Sequence, residues 1–122
     1  MTEVRVLIVD DQEPFRRAMA AVVEETDGFV VSGFATTGED SLSSVSDLRP
    51  DLVLMDVHLP GIDGIEATRR ITAEPGSPAV ILLSTYGEEE FDLDGCGCTA
   101  YVAKSAFGPD RLSAAWADAG RG

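Results

Sequence analysis

Three aspartates, two hydroxyls and one lysine stand directly after apolar runs in this sequence. Asp10 and Asp11 follow VRVLIV, Asp56 follows LVLM, Ser84 and Thr85 follow AVILL, and Lys104 follows AYVA. Charged groups are rarely left buried without a partner, so each of these should sit where a buried run meets solvent, and its neighbours decide its role. Three carboxylates gathered in one place repel one another, and some stay protonated unless a cation joins them. A donor set made only of oxygens, with no imidazole nitrogen or thiolate, favours a hard ion that keeps part of its water, which is magnesium rather than zinc. With the charge so balanced, Asp56 could attack a phosphoryl group and form an acyl phosphate. In-line transfer needs positioning and charge stabilisation above all, and Lys104 with the Ser84 hydroxyl would supply these on the side away from the metal. Neither G-x-x-x-x-G-K nor G-x-G-x-x-G occurs, so no nucleotide-binding fingerprint competes.

The elements that must position these groups are legible from the pattern. Apolar, β-branched runs at 4–9, 29–34, 52–55, 79–83 and 100–103 read as strands. Between them, Phe15, Met19, Val22 and Val23 recur at helical spacing after Pro14, with Gly28 as the stop. Leu42, Val45 and Leu48 line a second helix ended by Pro50, and its many serines make it dependent on tertiary contact. Ile65, Thr68 and Ile71 mark a third, from about Gly64 to the break at Pro75, Gly76 and Pro78. A short helix fits 88–93, and Pro109 opens a last one with Leu112, Ala115, Trp116 and Ala119 on one face. Strands alternating with helices at crossover spacing predict an α/β protein, a parallel sheet covered on both sides. Right-handed crossovers then place every strand end on one edge, where open α/β sheets bind ligands.

Composition narrows the function. The 122 residues suit one domain, 1–122, with no output domain in it. Nine Lys and Arg against 22 Asp and Glu give a net charge of -13, which argues against direct nucleic-acid binding or an anionic membrane surface. No apolar run is long enough to span a bilayer and none reads as a signal peptide, so a cytoplasmic location is expected. Cys96 and Cys98 lack the further ligands a zinc site needs and read as reduced thiols near a turn.

Taken together, VLIVDDQ, LVLMDVHLPGIDG, VILLSTY and AYVAK resemble the receiver domain of two-component response regulators, in order and over nearly the whole chain. The resemblance implies a flavodoxin-like (βα)5 three-layer sandwich with sheet order 2-1-3-4-5. It places Asp56 as phosphoacceptor and Asp10 and Asp11 as the acidic pair for Mg2+, with the backbone carbonyl of His58 as a further metal ligand. Lys104 matches the lysine that pairs with the phosphoryl oxygens, Ser84 with Thr85 the switch hydroxyl, and Tyr101 the switch aromatic. The implied donor is the phosphohistidine of a histidine kinase, and the domain is a signalling phosphoacceptor rather than an enzyme. Thr85 and the run DVHLPGIDGIEATRRI look most like receivers that precede a LuxR-type helix-turn-helix domain, a class that also pairs as homodimers through the first and fifth helices.

Plainer readings stand beside these. Asp10 or Asp11 alone would more often cap a turn, and Asp56 with Lys104 could be a structural ion pair. The His58 side chain reads as exposed loop, and Tyr101 as packing. The sequence departs from the family between Ser84 and Lys104, where Asp94, Gly95, Cys96, Gly97 and Cys98 replace a regular helix. Each glycine there costs about 1 kcal/mol against alanine, so the fourth helix should be short or irregular. That irregularity keeps open an atypical receiver acting as a phosphorylation-independent interaction module. A small aspartyl phosphatase of the haloacid dehalogenase type is the rival enzyme, but it usually carries an acid two residues after the nucleophile, where His58 stands.

Overall fold

Five strands, β1 (Val4–Val9), β2 (Phe29–Ala35), β3 (Leu52–Asp56), β4 (Ala79–Ser84) and β5 (Ala100–Ala103), form one parallel sheet in the order β2-β1-β3-β4-β5. The structure is a computed structural model and describes residues 3–85 and 96–119. Among these are helices α1 (Glu13–Glu24), α2 (Gly38–Leu48), α3 (Gly64–Thr72) and α4 (Pro109–Asp118), and a single 3-10 turn at Lys104–Ala106. The short helix expected at 88–93 lies outside the described residues.

The central strands are buried on both faces, which is why they read as unbroken apolar runs rather than alternating ones. Alternation instead sorts their side chains between two cores. Leu7, Val9, Val53, Met55, Val80 and Leu82 point to the side covered by α2 and α3, where Leu42, Val45, Ile65 and Ile71 meet them. Val6, Ile8, Leu52, Leu54, Ile81 and Leu83 point to the other side, against Met19 and Val23 of α1 and Leu112 and Ala115 of α4. Each fully buried Leu or Ile contributes about 1.5–3 kcal/mol relative to exposure, so these two layers hold the sheet. Trp116, half-buried, packs against the second of these cores, where its ring meets that of Phe29 edge-on at 6.2 Å and 79°.

Local chemistry sets the helix ends. Thr37 Oγ1 accepts from the Asp40 N–H at 2.9 Å, and Asp63 Oδ1 from the Glu66 N–H at 2.8 Å, capping α2 and α3. Pro50 ends α2 as expected, and Arg49 before it closes the helix in a left-handed conformation (φ 48°), its N–H donating to the Val45 carbonyl. Arg5 compensates at this point. Its guanidinium donates to the Arg49 carbonyl at 2.9 Å and to that of Leu48, while its own N–H donates to Asp51 Oδ2 at 2.9 Å. The residue that interrupts the first apolar run is therefore the clasp between β1 and the end of α2.

Candidate functional site

Because all strands run one way, the residues after β1, β3 and β5 meet at a single edge. Asp10 and Asp56 are buried there, Asp11 is exposed, and the Lys104 ammonium lies between the two buried acids, 2.8 Å from Asp10 Oδ2 and 3.4 Å from Asp56 Oδ1. Asp56, expected where its strand meets solvent, is only 3 % exposed. The following loop folds back over it. The Val57 N–H bonds the Leu83 carbonyl at 3.0 Å and the Gly64 N–H bonds the Val57 carbonyl at 2.9 Å, which brings the start of α3 onto the strand end. Only glycine fits there, since a Cβ at position 64 would run into the Asp56 carbonyl.

Burial governs the electrostatics of the acid. It pushes the Asp56 carboxyl up to about 6, and the neighbouring Asp10 pushes the same way. Lys104 and the His58 N–H, which donates to Oδ1 at 3.3 Å, hold it lower than it would otherwise be. A carboxylate so raised is one that a further cation would stabilise. One oxygen from each of Asp10, Asp11 and Asp56 lies within 4.8 Å of the others. Oxygens bound at about 2.1 Å to one magnesium are at most about 4.2 Å apart, so the three acids need only small movements to share that ion. The donor set and spacing fit it.

Several contacts hold the acids in place. Asp10 Oδ1 accepts from the Gln12 N–H at 2.9 Å, a local turn that orients the carboxylate, and its carbonyl accepts from Arg16 Nη1 at 2.9 Å. Glu39, at the start of α2, accepts from the Ile62 N–H at 3.2 Å, and Gly61 (φ 77°) turns the loop around its carboxylate. The Lys104 ammonium also faces the Phe15 ring, 3.7 Å from its centroid. The helical spacing of Phe15 predicts core packing, and no sequence pattern singles out Glu39. Their partners lie on other elements, and helical spacing carries no signal for them.

The remaining expected residues are distributed as follows. Ser84 ends β4, fully buried, in register with Ala103, the residue that precedes Lys104. Tyr101 pairs with Leu82, and since residues two apart in a strand share a face, Ser84 and Tyr101 lie on the α2–α3 side of the sheet. Tyr101 is half-buried, and Thr85 and His58 are exposed.

A doubly wound parallel sheet of order 2-1-3-4-5 gathers carboxylates and one lysine at its carboxyl edge, the edge where open α/β sheets bind ligands. Residues 6–117 match the response regulator receiver domain, and the chain belongs to that family, a signalling domain of two-component systems. It is similar to the response regulator GacA of Pseudomonas viridiflava, 38% identical over 105 residues that cover 84% of this chain and 49% of that protein. Among solved structures, a LuxR-family two-component response regulator from Aurantimonas sp. SI85-9A1 superposes with a TM-score of 0.85 at 30% identity, over 98% of this chain and 88% of that one. The signal receiver domain of the putative response regulator NarL from Mycobacterium tuberculosis shares the fold, with a TM-score of 0.88 at 23% identity, over 100% and 99% of the two chains. The chain spans about half the length of the curated relatives it matches.

Proposed function

We propose that Asp56 is the phosphoacceptor of a two-component system, taking a phosphoryl group from the phosphohistidine of a partner histidine kinase. The observation that carries this reading is the placement of one ammonium, that of Lys104, within 2.8 Å of Asp10 and 3.4 Å of Asp56, beside a third carboxylate. An Asp56 carboxylate oxygen attacks phosphorus in line, the P–N bond to the donor imidazole breaks, and that imidazole leaves with the bonding pair. Asp10, Asp11, Asp56 and the His58 backbone carbonyl would hold Mg2+, which when bound neutralises the acids and draws charge from the phosphoryl oxygens. Lys104 balances the charge of the transferred group from the other side.

The product is an aspartyl phosphate beside a buried hydroxyl. Ser84, with Thr85, reads out that group as a hydrogen-bond acceptor, and Tyr101 follows on the same face, shifting an existing equilibrium between two conformations. On this reading residues 1–122 form one receiver domain, cytoplasmic, working as a signalling module, with any DNA contact left to a separate output domain and pairing of two copies available through α1 and α4. Acetyl phosphate with Mg2+ tests it: wild type should gain one phosphoryl mass and Asp56→Asn none. A partner that binds both proteins equally well would favour the phosphorylation-independent module instead.

A further inference from the structure

Lys104 reaches the acids across an aromatic surface. Phe15 stands in the first turn of α1, just after Pro14, and its ring centroid lies 3.7 Å from the ammonium. An ammonium facing a ring at this distance is attracted by the negative face of the π system, more strongly where water is partly excluded. We propose that Phe15 is a positioning residue for Lys104, its ring holding the ammonium beside Asp56 once Asp10 is engaged by a divalent cation.

Three observations support this. Lys104 has its shortest contact with Asp10, at 2.8 Å, and Asp10 belongs to the carboxylate cluster suited to a cation. A dication drawing on Asp10 would compete for that carboxylate and loosen the hold on the lysine. The remaining carboxylate contact is longer, 3.4 Å, and its acceptor, Asp56 Oδ1, is already shared with the His58 N–H. On the helix side, Lys104 borders a small cavity of about 60 Å³ whose other lining residues, among them Ala18, Met19, Leu83 and Phe107, are apolar. The side chains of that lining offer an ammonium released from Asp10 no acceptor, and the face of Phe15 is the favourable surface among them.

The inference rests on the reading that Lys104 acts at Asp56, and the test separates the two. Mono-, di- and trifluorinated phenylalanine are placed at position 15 of the full chain, because fluorine withdraws charge from the ring face while changing its volume little. Magnesium-dependent labelling of Asp56 by acetyl phosphate should slow stepwise, by about fivefold at the trifluorinated ring, the scale of a moderate cation–π contact. The same series in Lys104→Met should be flat, and Phe15→Tyr should label like wild type. Independently of activity, the ε-methylene protons of Lys104 should show an upfield ring-current shift in NMR that survives addition of Mg2+ and vanishes in Phe15→Leu. Flat rates across the fluorinated series with Lys104 still required, or loss of the ring-current shift on adding Mg2+, would overturn the role of Phe15 alone. Equal labelling of Lys104→Met and wild type would overturn the reading of Lys104 beneath it.

Discussion

Lys104 lies closer to Asp10, at 2.8 Å, than to Asp56, at 3.4 Å, so the cation of this site is shared unequally between the two buried acids. Asp56 is left as the carboxylate whose charge is poorly compensated, and its pKa stands at about 6, raised by burial and by Asp10. A site of this kind holds Asp56 partly protonated near pH 6, and a further cation would favour its ionised form.

A pH dependence follows from that value. Asp56 titrates near 6 in the folded protein against an ordinary 3.8. A carboxyl with a raised folded pKa favours folding when protonated, so this contribution is complete below about 3.8 and is lost as pH rises through about 6. In chelator-treated buffer, Asp56→Asn should be more stable than wild type at pH 8, by on the order of 1–2 kcal/mol, with the difference shrinking towards pH 4. Urea unfolding at the two pH values checks it. A difference that does not change with pH would contradict the assignment.

Magnesium should reverse the penalty. Binding at the three carboxylates favours the ionised form of Asp56, so a metal titration at pH 6 should release protons and lower the Asp56 pKa as followed by carboxyl carbon NMR. Asp11 is exposed and takes no part in the Lys104 ion pairs. Asp11→Asn should therefore leave the fold within about 0.5 kcal/mol of wild type while weakening magnesium binding by roughly tenfold. Calorimetry showing unchanged affinity would remove Asp11 from the ligand set.

Gly64→Ala should be costly far beyond its helix propensity. Alanine is normally the better helix former, yet here its Cβ meets the carbonyl of Asp56, a backbone atom that cannot move aside alone. A loss of about 1–3 kcal/mol in urea unfolding is expected, together with shifted Asp56 resonances. A stabilised variant would mean that α3 does not seat on β3 as described.

Ser84→Ala removes a buried hydroxyl but almost no volume, so the fold should lose only about 1 kcal/mol. The coupling between phosphorylation and conformation should lose much more. Phosphorylation-induced NMR shifts across β4 and β5 ought to be smaller in the variant than in wild type. Shifts of equal size in both proteins would count against Ser84 as the reader.

The central strands β1, β3 and β4 and the edge they share were legible because each is buried on both faces and announces itself as a run of Val, Ile and Leu, while the half-buried edge strands β2 and β5 show as shorter apolar stretches beside them. Asp10, Asp56 and Lys104 were legible because each stands next to such a run. What stayed hidden depends on contacts between distant elements. Arg5 looked like an interruption in β1 until its guanidinium was found on the carbonyls of Leu48 and Arg49. Phe15 had the spacing of a core residue, and only the approach of β5 turns its face into a seat for Lys104. Glu39 carries no signal in the sequence pattern, while its carboxylate accepts from the Ile62 N–H of the loop after Asp56. Periodicity records which face a residue points to, but not which element arrives there.

Identifying the residue that carries the phosphoryl group tests the central claim most directly. Wild-type protein is incubated with acetyl phosphate and Mg2+, reduced with borohydride, which converts an aspartyl phosphate to homoserine, and mapped by tandem mass spectrometry. Homoserine should be found at position 56 alone, and only when donor and metal are both present. Homoserine at position 10 or 11, or at no position in protein that has taken up phosphate, would contradict the account.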